Sequence, residues 1–231
     1  AGRDSRFRGT QGTSIIGLFG GAAAWTGASE KTLKRLGDED YEKVYIFPNS
    51  HAGYYPGATM IGLKTIFRKS DGRLLGAQAL GQDGQAVDKR ISALAVAIQM
   101  GATIYDLEET ELCYAPQFGS AKDAVNFAGM VAADVVRGDM PLVHWDDTDG
   151  GFLLDVRQPV ELVVESVPGA VNIPLPQLRA RLGELPKDRE IHTICRSAQR
   201  AYYATRILAQ NGFKVRNISG GMLARAMFPT S

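Results

Sequence analysis

The sequence predicts two folded parts: an α+β domain with an antiparallel sheet and helices, followed by an α/β domain with a parallel sheet. Two observations predict this arrangement. Between residues 41 and 137, segments with strand patterns come first and helical patterns follow them, as in α+β domains. From residue 138 to residue 231, strand and helix patterns alternate, which indicates parallel pairing through right-handed crossovers.

The composition is that of an ordinary globular protein. Of the 231 residues 45% are hydrophobic and 22% are charged, and the net charge of +1 does not favour nucleic acid or an anionic membrane as a partner. The uncharged stretch 9–29 contains too much glycine, serine and threonine for a membrane span. Two cysteines, Cys113 and Cys195, do not make a disulfide framework, which favours a reducing, cytoplasmic location.

The first 40 residues combine a strand pattern with a glycine-rich stretch. Residues 14–19 predict a strand, and the small residues at 20–27 indicate close packing. Residues 30–37 predict a short helix that is capped by Ser29. Because this segment is too small and too rich in glycine to fold alone, we assign residues 1–40 to the end of a larger domain.

The middle of the chain predicts a sheet covered by helices. Strand patterns occupy residues 44–47, 59–69 and 73–80, and Ser70-Asp71-Gly72 predicts a hairpin turn between the last two. Helical patterns occupy residues 84–100 and residues 121–136, the second of them behind Ser120. The sequence Arg137-Gly138-Asp139-Met140-Pro141 breaks the pattern, so we place a domain boundary between residues 137 and 138.

The alternating patterns of the last third place a cysteine between a strand and a helix. Strands are predicted at 152–156, 190–194 and 214–218, and helices at 177–182 and 202–209. The middle strand ends at Cys195, which would lie over the amino end of a helix, where N–H groups and the helix macrodipole favour an anion. Cysteine thiols in such places have pKa values of ~3.5–7.5 rather than ~8.5, and the thiolate is the nucleophile. We therefore favour a reactive Cys195 over a buried structural thiol.

Several motifs carry resemblances to known families. In the last third, the motifs that resemble a rhodanese domain are Leu154–Arg157, Gly169–Pro174, Cys195–Arg200 and Asn217–Gly221. In the middle, Ser50–Gly57 and Cys113–Pro116 resemble the dimerisation domain of flavin-dependent pyridine nucleotide–disulfide oxidoreductases, and the coenzyme A–disulfide reductases above all. Residues 7–14 resemble the end of their flavin-binding domain, which makes residues 1–40 its remnant. The combined order resembles reductase–rhodanese fusions implicated in the reduction of coenzyme A disulfide, persulfide and polysulfide.

The rhodanese resemblance implies sulfur transfer. A small-molecule donor would leave its sulfane sulfur on Cys195, and a thiol acceptor would remove it. The loop residues that would cradle this sulfur are Arg196, Ser197, Ala198, Gln199 and Arg200, and Arg200 would also hold the donor or close the loop. Asp155 and Arg157 would brace the loop. Ala198 stands where the family usually has glycine, so a positive φ at this position would strain the loop.

Two alternatives compete with this interpretation. The rhodanese-like cysteine phosphatases use Cys-x5-Arg, whereas Cys195 and Arg200 form Cys-x4-Arg, a shorter loop that suits sulfane sulfur and would crowd a tetrahedral phosphate. We therefore reject the phosphatase. A non-catalytic dimerisation and sulfur-carrier docking module is the remaining alternative, and Ala198 is the residue that favours it.

The reductase resemblance implies a homodimer through the middle domain, with FAD, NAD(P)H and, as a further candidate, coenzyme A bound to the intact protein. No G-x-G-x-x-G motif occurs, so we expect these sites and the reductase cysteine upstream of Ala1, and no cofactor in this chain. In the coenzyme A–disulfide reductases two tyrosines of this domain reach the other subunit's active site. Tyr114 matches one of them, and either Tyr54 or Tyr55 matches the other.

The remaining cysteine and the histidines show no metal pattern. We predict that Cys113 is a buried structural thiol. His51, His144 and His192 do not lie at the spacings of a metal site, so no metal is predicted.

Overall fold

The computed structural model describes residues 2, 4, 6, 7, 9–82 and 86–228, and these residues form two five-stranded sheets. The strands of the first sheet are β1 (Ser14–Leu18), β2 (Gly21–Gly27), β3 (Tyr41–Ile46), β4 (Gly62–Arg68) and β5 (Leu74–Gln82). Their order is β1-β2-β5-β4-β3, and all neighbouring strands are antiparallel. The predicted antiparallel sheet is therefore confirmed.

Helices cover the first sheet. They are α1 (Glu30–Leu36), α2 (Val87–Gln99), α3 (Ile104–Glu109) and α4 (Ala124–Val136). α2 packs against β5 and β2, and α4 packs against β3 and β4. The buried residues between them, such as Leu63, Leu94 and Ala128, form one apolar core. The predicted start of the first long helix at Gly84 lies outside the described residues.

The cap of α4 differs from the prediction. The sequence predicted a helix from Ala121 behind Ser120, whereas the helix begins at Ala124 behind Asp123. The Asp123 carboxylate accepts the N–H of Val125 at 3.2 Å, and the Asn126 side chain accepts the N–H of Asp123 at 3.0 Å. This reciprocal capping satisfies two amides of the first turn and fixes the start of the helix.

Residues 14–27 belong to the first sheet. We predicted small-residue packing at residues 20–27 and a domain boundary at residue 40. Instead, β2 pairs with β5 along its whole length, and β1 pairs with β2. Residues 21–24 are glycine and alanine, which lack the side chains that mark strands in a sequence, and only the pairing with β5 makes them one. The first sheet is thus built from strands on both sides of residue 40. The assignment of residues 1–40 to a flavin-binding domain stays a prediction.

The second sheet is parallel throughout, as predicted. Its strands are β6 (Leu142–Val143), β7 (Phe152–Asp155), β8 (Val171–Asn172), β9 (Ile191–Ile194) and β10 (Val215–Ile218). Their order is β6-β10-β9-β7-β8. Because α4 ends at Val136 and β6 already pairs with β10, the boundary that we placed at residue 138 lies between the two sheets.

In the described part of the chain, the second domain also contains three α-helices and two 3-10 segments. The α-helices are α5 (Pro159–Val164), α6 (Gln199–Gln210) and α7 (Gly221–Met227), and the 3-10 segments are Trp145–Asp147 and Leu175–Glu184. The helix predicted at 177–182 is thus a 3-10 segment with a kink at Arg181. β9 is the central strand of the sheet, and all four of its residues are buried. Cys195 is the residue that directly follows the end of this strand. Over the described residues, no helix has the length and apolar character to span a membrane.

Candidate active-site loop around Cys195

Cys195 follows β9 directly, and its sulfur faces the first turn of α6. The residue is only 1% exposed, and Sγ accepts the backbone N–H of Ala201 at 3.3 Å. α6 begins at Gln199, so this donor belongs to the amino end of a twelve-residue helix. A helix N–H that points at sulfur favours negative charge on it. The predicted strand–cysteine–loop–helix arrangement is present.

Ala198 adopts the conformation that we expected to cause strain. Its φ of 69° and ψ of −12° lie in the left-handed region, and it is the residue that precedes α6. Its carbonyl accepts the N–H of Tyr202 at 2.8 Å and the side-chain amide of Asn217 at 3.2 Å. A non-glycine residue pays ~1–2 kcal/mol for this conformation. Ala198 is therefore held in a strained backbone conformation by two hydrogen bonds to its carbonyl.

Arg200 is paired with a residue that the sequence did not single out. Its Nη1 and Nη2 donate to the two carboxylate oxygens of Glu161 on α5, at 2.6 and 2.7 Å. The Arg200 guanidinium lowers the pKa of Glu161 to about 2, while Glu161 and the nearby Cys195 raise the pKa of Arg200. Glu161 lies 39 residues away in sequence, so no local pattern could reveal the pair. Arg200 is thus fixed beside the thiol.

Asp155 and Arg157 form a buried pair at the end of β7. Arg157 Nη2 lies 2.6 Å from Asp155 Oδ2 and also donates to the carbonyl of Glu165 at 3.0 Å. The Asn172 side chain donates to the carbonyls of both partners at 2.9 Å. These bonds hold β7, β8 and the end of α5 together. The pair can brace the loop indirectly, because α5 carries Glu161.

The other predicted loop residues face solvent or lie at its edge. Arg196 and Gln199 are exposed, and Ser197 is half-buried. The backbone beneath them is bound by α7: Met222 N–H donates to the Cys195 carbonyl at 3.0 Å, and Leu223 N–H donates to the Arg196 carbonyl at 2.9 Å. The loop therefore rests on α7, a helix that the sequence analysis did not predict.

A cavity of about 560 Å³ lies between the two domains, next to the loop. Residues 197–199 line one side, and α4 with the segment after β3 lines the other, but Cys195 and Arg200 lie outside it. This cavity therefore borders the loop without being lined by Cys195 or Arg200.

The structure brings together two of the three predicted tyrosines. The hydroxyls of Tyr54 and Tyr114 lie 2.9 Å apart, whereas Tyr55 stacks edge-on against His51 with ring centroids 5.8 Å apart. Both bonded tyrosines are exposed, at 77% and 47%, and the bond to Tyr54 raises the pKa of Tyr114. Neighbouring Cys113 is exposed, so its prediction as a buried thiol was wrong. It lies in an irregular surface segment between α3 and α4.

The three histidines have separate partners, and only the partner of His144 is distant in sequence. His144 contacts Glu42, His192 contacts Glu190, and His51 contacts Ser50. Within the described ranges, no group of three or more histidine, cysteine, aspartate or glutamate side chains is arranged to hold a metal ion. The absence of a metal stays a prediction.

Family comparisons agree with this architecture. Residues 17–125 match the dimerisation domain of pyridine nucleotide-disulphide oxidoreductases, and residues 142–225 match the rhodanese-like domain. The chain is therefore a dimerisation domain of this oxidoreductase class joined to a rhodanese-like domain. More particularly, it is homologous to the carboxyl-terminal region of coenzyme A disulfide reductases.

Individual relatives cover the chain to different extents. Reduced Bacillus anthracis CoADR-RHD is 47% identical with a TM-score of 0.90, over 94% of this chain and 40% of that chain. The NAD-dependent persulfide reductase from A. fulgidus is 36% identical with a TM-score of 0.86, over 96% of this chain and 40% of that chain. The coenzyme A disulfide reductase of Staphylococcus epidermidis is 37% identical over 54% of this chain and 28% of its own length. The chain thus spans 28% to 40% of these relatives.

Proposed function

We propose that Cys195 carries sulfane sulfur as a persulfide. The supporting observation is the position of its sulfur, which accepts the N–H of Ala201 beside the guanidinium of Arg200. In the loading step the Cys195 thiolate attacks the outer sulfur of thiosulfate, the S–S bond breaks, and sulfite leaves with the bonding pair. In the second step a thiolate acceptor attacks the outer persulfide sulfur, and the Cys195 thiolate leaves. Each step breaks one sulfur–sulfur bond and forms another, so no external oxidant is needed.

Intact mass measurement tests the loading step. The full chain is incubated with thiosulfate, freed of excess donor, and weighed beside Cys195→Ser and the matched variant Cys113→Ser. We expect the wild type and Cys113→Ser to gain the mass of one sulfur atom, and Cys195→Ser to gain none. An adduct that survives Cys195→Ser, or a wild type that gains no sulfur from thiosulfate or from a persulfide donor, contradicts the proposal.

In the intact protein this sulfur would pass to a flavin-dependent coenzyme A-disulfide, persulfide or polysulfide reductase. Support comes from the relatives named above and from the fact that this chain spans only 28% to 40% of their length. The FAD, NAD(P)H and reductase-cysteine sites would lie in the remainder, with coenzyme A as a candidate ligand. Tyr114 and Tyr54, which are hydrogen-bonded and exposed, would enter the partner subunit's reductase site. Two free cysteines fit a reducing, cytoplasmic location.

The alternative, a non-catalytic docking module, rests on the strain at Ala198. If this strain prevents loading, the wild type stays unmodified while Ala198→Gly, which removes the strain, gains sulfur. Loading of the wild type argues against the alternative.

A further inference from the structure

Helix α7 lies between the Cys195 loop and the dimerisation domain, and it contacts both. We propose that the dimerisation domain positions the Cys195 loop through α7, so that Glu42 and Phe228, in the domain interface, are positioning residues for the thiol. This inference rests on the proposed function of Cys195 and adds to it: sulfur loading would depend on how the two domains are docked.

The first turn of α7 is hydrogen-bonded to the backbone of the Cys195 loop. The N–H groups of Met222 and Leu223 donate to the carbonyls of Cys195 and Arg196 at 3.0 and 2.9 Å. Gly221, which has a φ of 56°, lies so close that an added Cβ would collide with the Cys195 carbonyl oxygen. A shift of α7 must therefore move the backbone that carries Cys195, because no space separates them.

The residues that flank α7, Gly220 and Phe228, pack on the first sheet. A Cβ added at Gly220 would lie 2.7 Å from Cβ of Tyr45 and 3.1 Å from Cε2 of Phe47, so this glycine touches β3 and the residue after it. At the other end of α7 the ring of Phe228 lies 5.2 Å from the Tyr45 ring and 6.4 Å from the Phe47 ring. The two ends of α7 therefore both rest on the dimerisation domain.

A second connection runs beside α7. Trp145 Nε1 donates to the carbonyl of Gly221 at 2.9 Å, and the guanidinium of Arg225 lies 5.3 Å from the Trp145 ring centroid. The preceding residue, His144, lies 2.8 Å from Glu42 Oε1 on β3. The His144–Glu42 contact, which also joins the domains, thus lies one residue away from the Trp145–Gly221 hydrogen bond at the start of α7.

Loop position and overall stability are separable by experiment. If α7 only adds packing, weakening the interface lowers stability but leaves the chemistry of Cys195 in the folded protein unchanged. If α7 positions the loop, the same change alters the distance from Sγ to the N–H of Ala201, and with it the reactivity of the thiol and its pH dependence. A misplacement of ~1 Å at a reacting group can cost up to ~10²-fold in rate.

The test uses the full chain with Cys113→Ser, in which Cys195 is the remaining thiol. Phe228→Ala and Glu42→Gln weaken the interface, and Phe228→Tyr is the conservative rescue. Matched controls are Phe118→Ala, an exposed phenylalanine of the dimerisation domain, and Glu108→Gln, whose carboxylate pairs with Arg137 within that domain. Two rates are measured on each folded variant: persulfide formation from thiosulfate, and alkylation by iodoacetamide as a function of pH.

We expect Phe228→Ala to slow persulfide formation by about tenfold and Glu42→Gln by a smaller factor, with a shifted pH profile of alkylation in both. Phe228→Tyr and the two controls should match the parent chain. Unchanged rates and pH profiles in folded Phe228→Ala and Glu42→Gln would overturn the inference. If the parent chain gains no sulfur, the proposed function fails, yet the alkylation profiles still decide whether the interface positions Cys195.

Discussion

Ala198 turns the chain from the Cys195 loop into α6 with a backbone conformation that favours glycine. Its carbonyl accepts two hydrogen bonds, so the surrounding structure imposes the conformation. Glu161 acts from another element, since its carboxylate fixes the guanidinium of Arg200. The backbone angle at Ala198 and the Glu161–Arg200 ion pair can each be changed by a single substitution.

We expect Ala198→Gly to stabilise the chain by up to ~1 kcal/mol, because strain relief of ~1–2 kcal/mol exceeds the entropy that glycine loses, ~0.5–1 kcal/mol. Denaturant unfolding at equilibrium measures this change. Ala209→Gly, at an exposed position near the end of the same helix, is the matched control and should destabilise by ~0.5–1 kcal/mol. A destabilised Ala198→Gly would show that the left-handed conformation is not strained.

Glu161→Gln should release Arg200 and slow persulfide formation by roughly tenfold, because the guanidinium beside the thiol loses its fixed position. The pair is partly exposed, so stability should change by less than ~1 kcal/mol. Glu184→Gln, which breaks a comparable bidentate pair with Arg181, is the control and should leave the loading rate unaltered. Equal rates in wild type and Glu161→Gln would refute the role of the pair.

The same pair predicts a dependence on pH. Because the pKa of Glu161 is depressed from 4.5 to about 2, the stabilisation by the pair is present above pH ~4.5 and is lost as the pH falls towards about 2. Stability measured through this window should therefore decline less in Glu161→Gln than in the wild type.

At the scale of elements, the sequence predicted what local patterns encode. The apolar β-branched run before Cys195 and the helical spacing after it gave β9 and α6 correctly, because burial follows these patterns directly. β2 was missed because residues 21–24 are glycine and alanine, and only its long-range pairing with β5 makes it a strand. The contacts of Glu161 and of α7 with the loop were also missed. Both join residues that are far apart in the sequence, so no local pattern reveals them.

Asp123 illustrates how one residue serves two elements. It caps α4, and it accepts two hydrogen bonds from the buried guanidinium of Arg90 on α2, at 3.1 and 2.7 Å. Asp123→Asn keeps a good cap but removes the counter-charge of Arg90, so we expect a loss of about 3 kcal/mol in the free energy of unfolding. Urea unfolding at equilibrium measures this loss. In the same measurement, Asp106→Asn in the exposed capping box of α3 should cost less than ~1 kcal/mol. Equal losses would show that the buried pair adds nothing beyond capping.

At the scale of the whole molecule, the dimerisation domain and the rhodanese-like domain are in direct contact, as in the His144–Glu42 pair. The first sheet leaves apolar side chains exposed at its β1 edge, including Ile15, Ile16 and Leu18 at 54%, 49% and 58%. Contiguous exposed apolar residues commonly mark surfaces that another chain or domain covers. This edge is consistent with a protein that is not monomeric in solution.

We therefore predict that the chain is a homodimer, with twice the 24.9 kDa mass of one chain by light scattering and by sedimentation over a range of concentrations. Tyr54→Phe and Tyr114→Phe should leave this mass unchanged, because each removes only a hydroxyl from an exposed hydrogen-bonded pair. The matched Tyr55→Phe variant serves as control for the same chemical change outside that pair. A monomer at all concentrations would contradict dimerisation through the first domain, and with it the proposal that Tyr54 and Tyr114 act in a partner subunit.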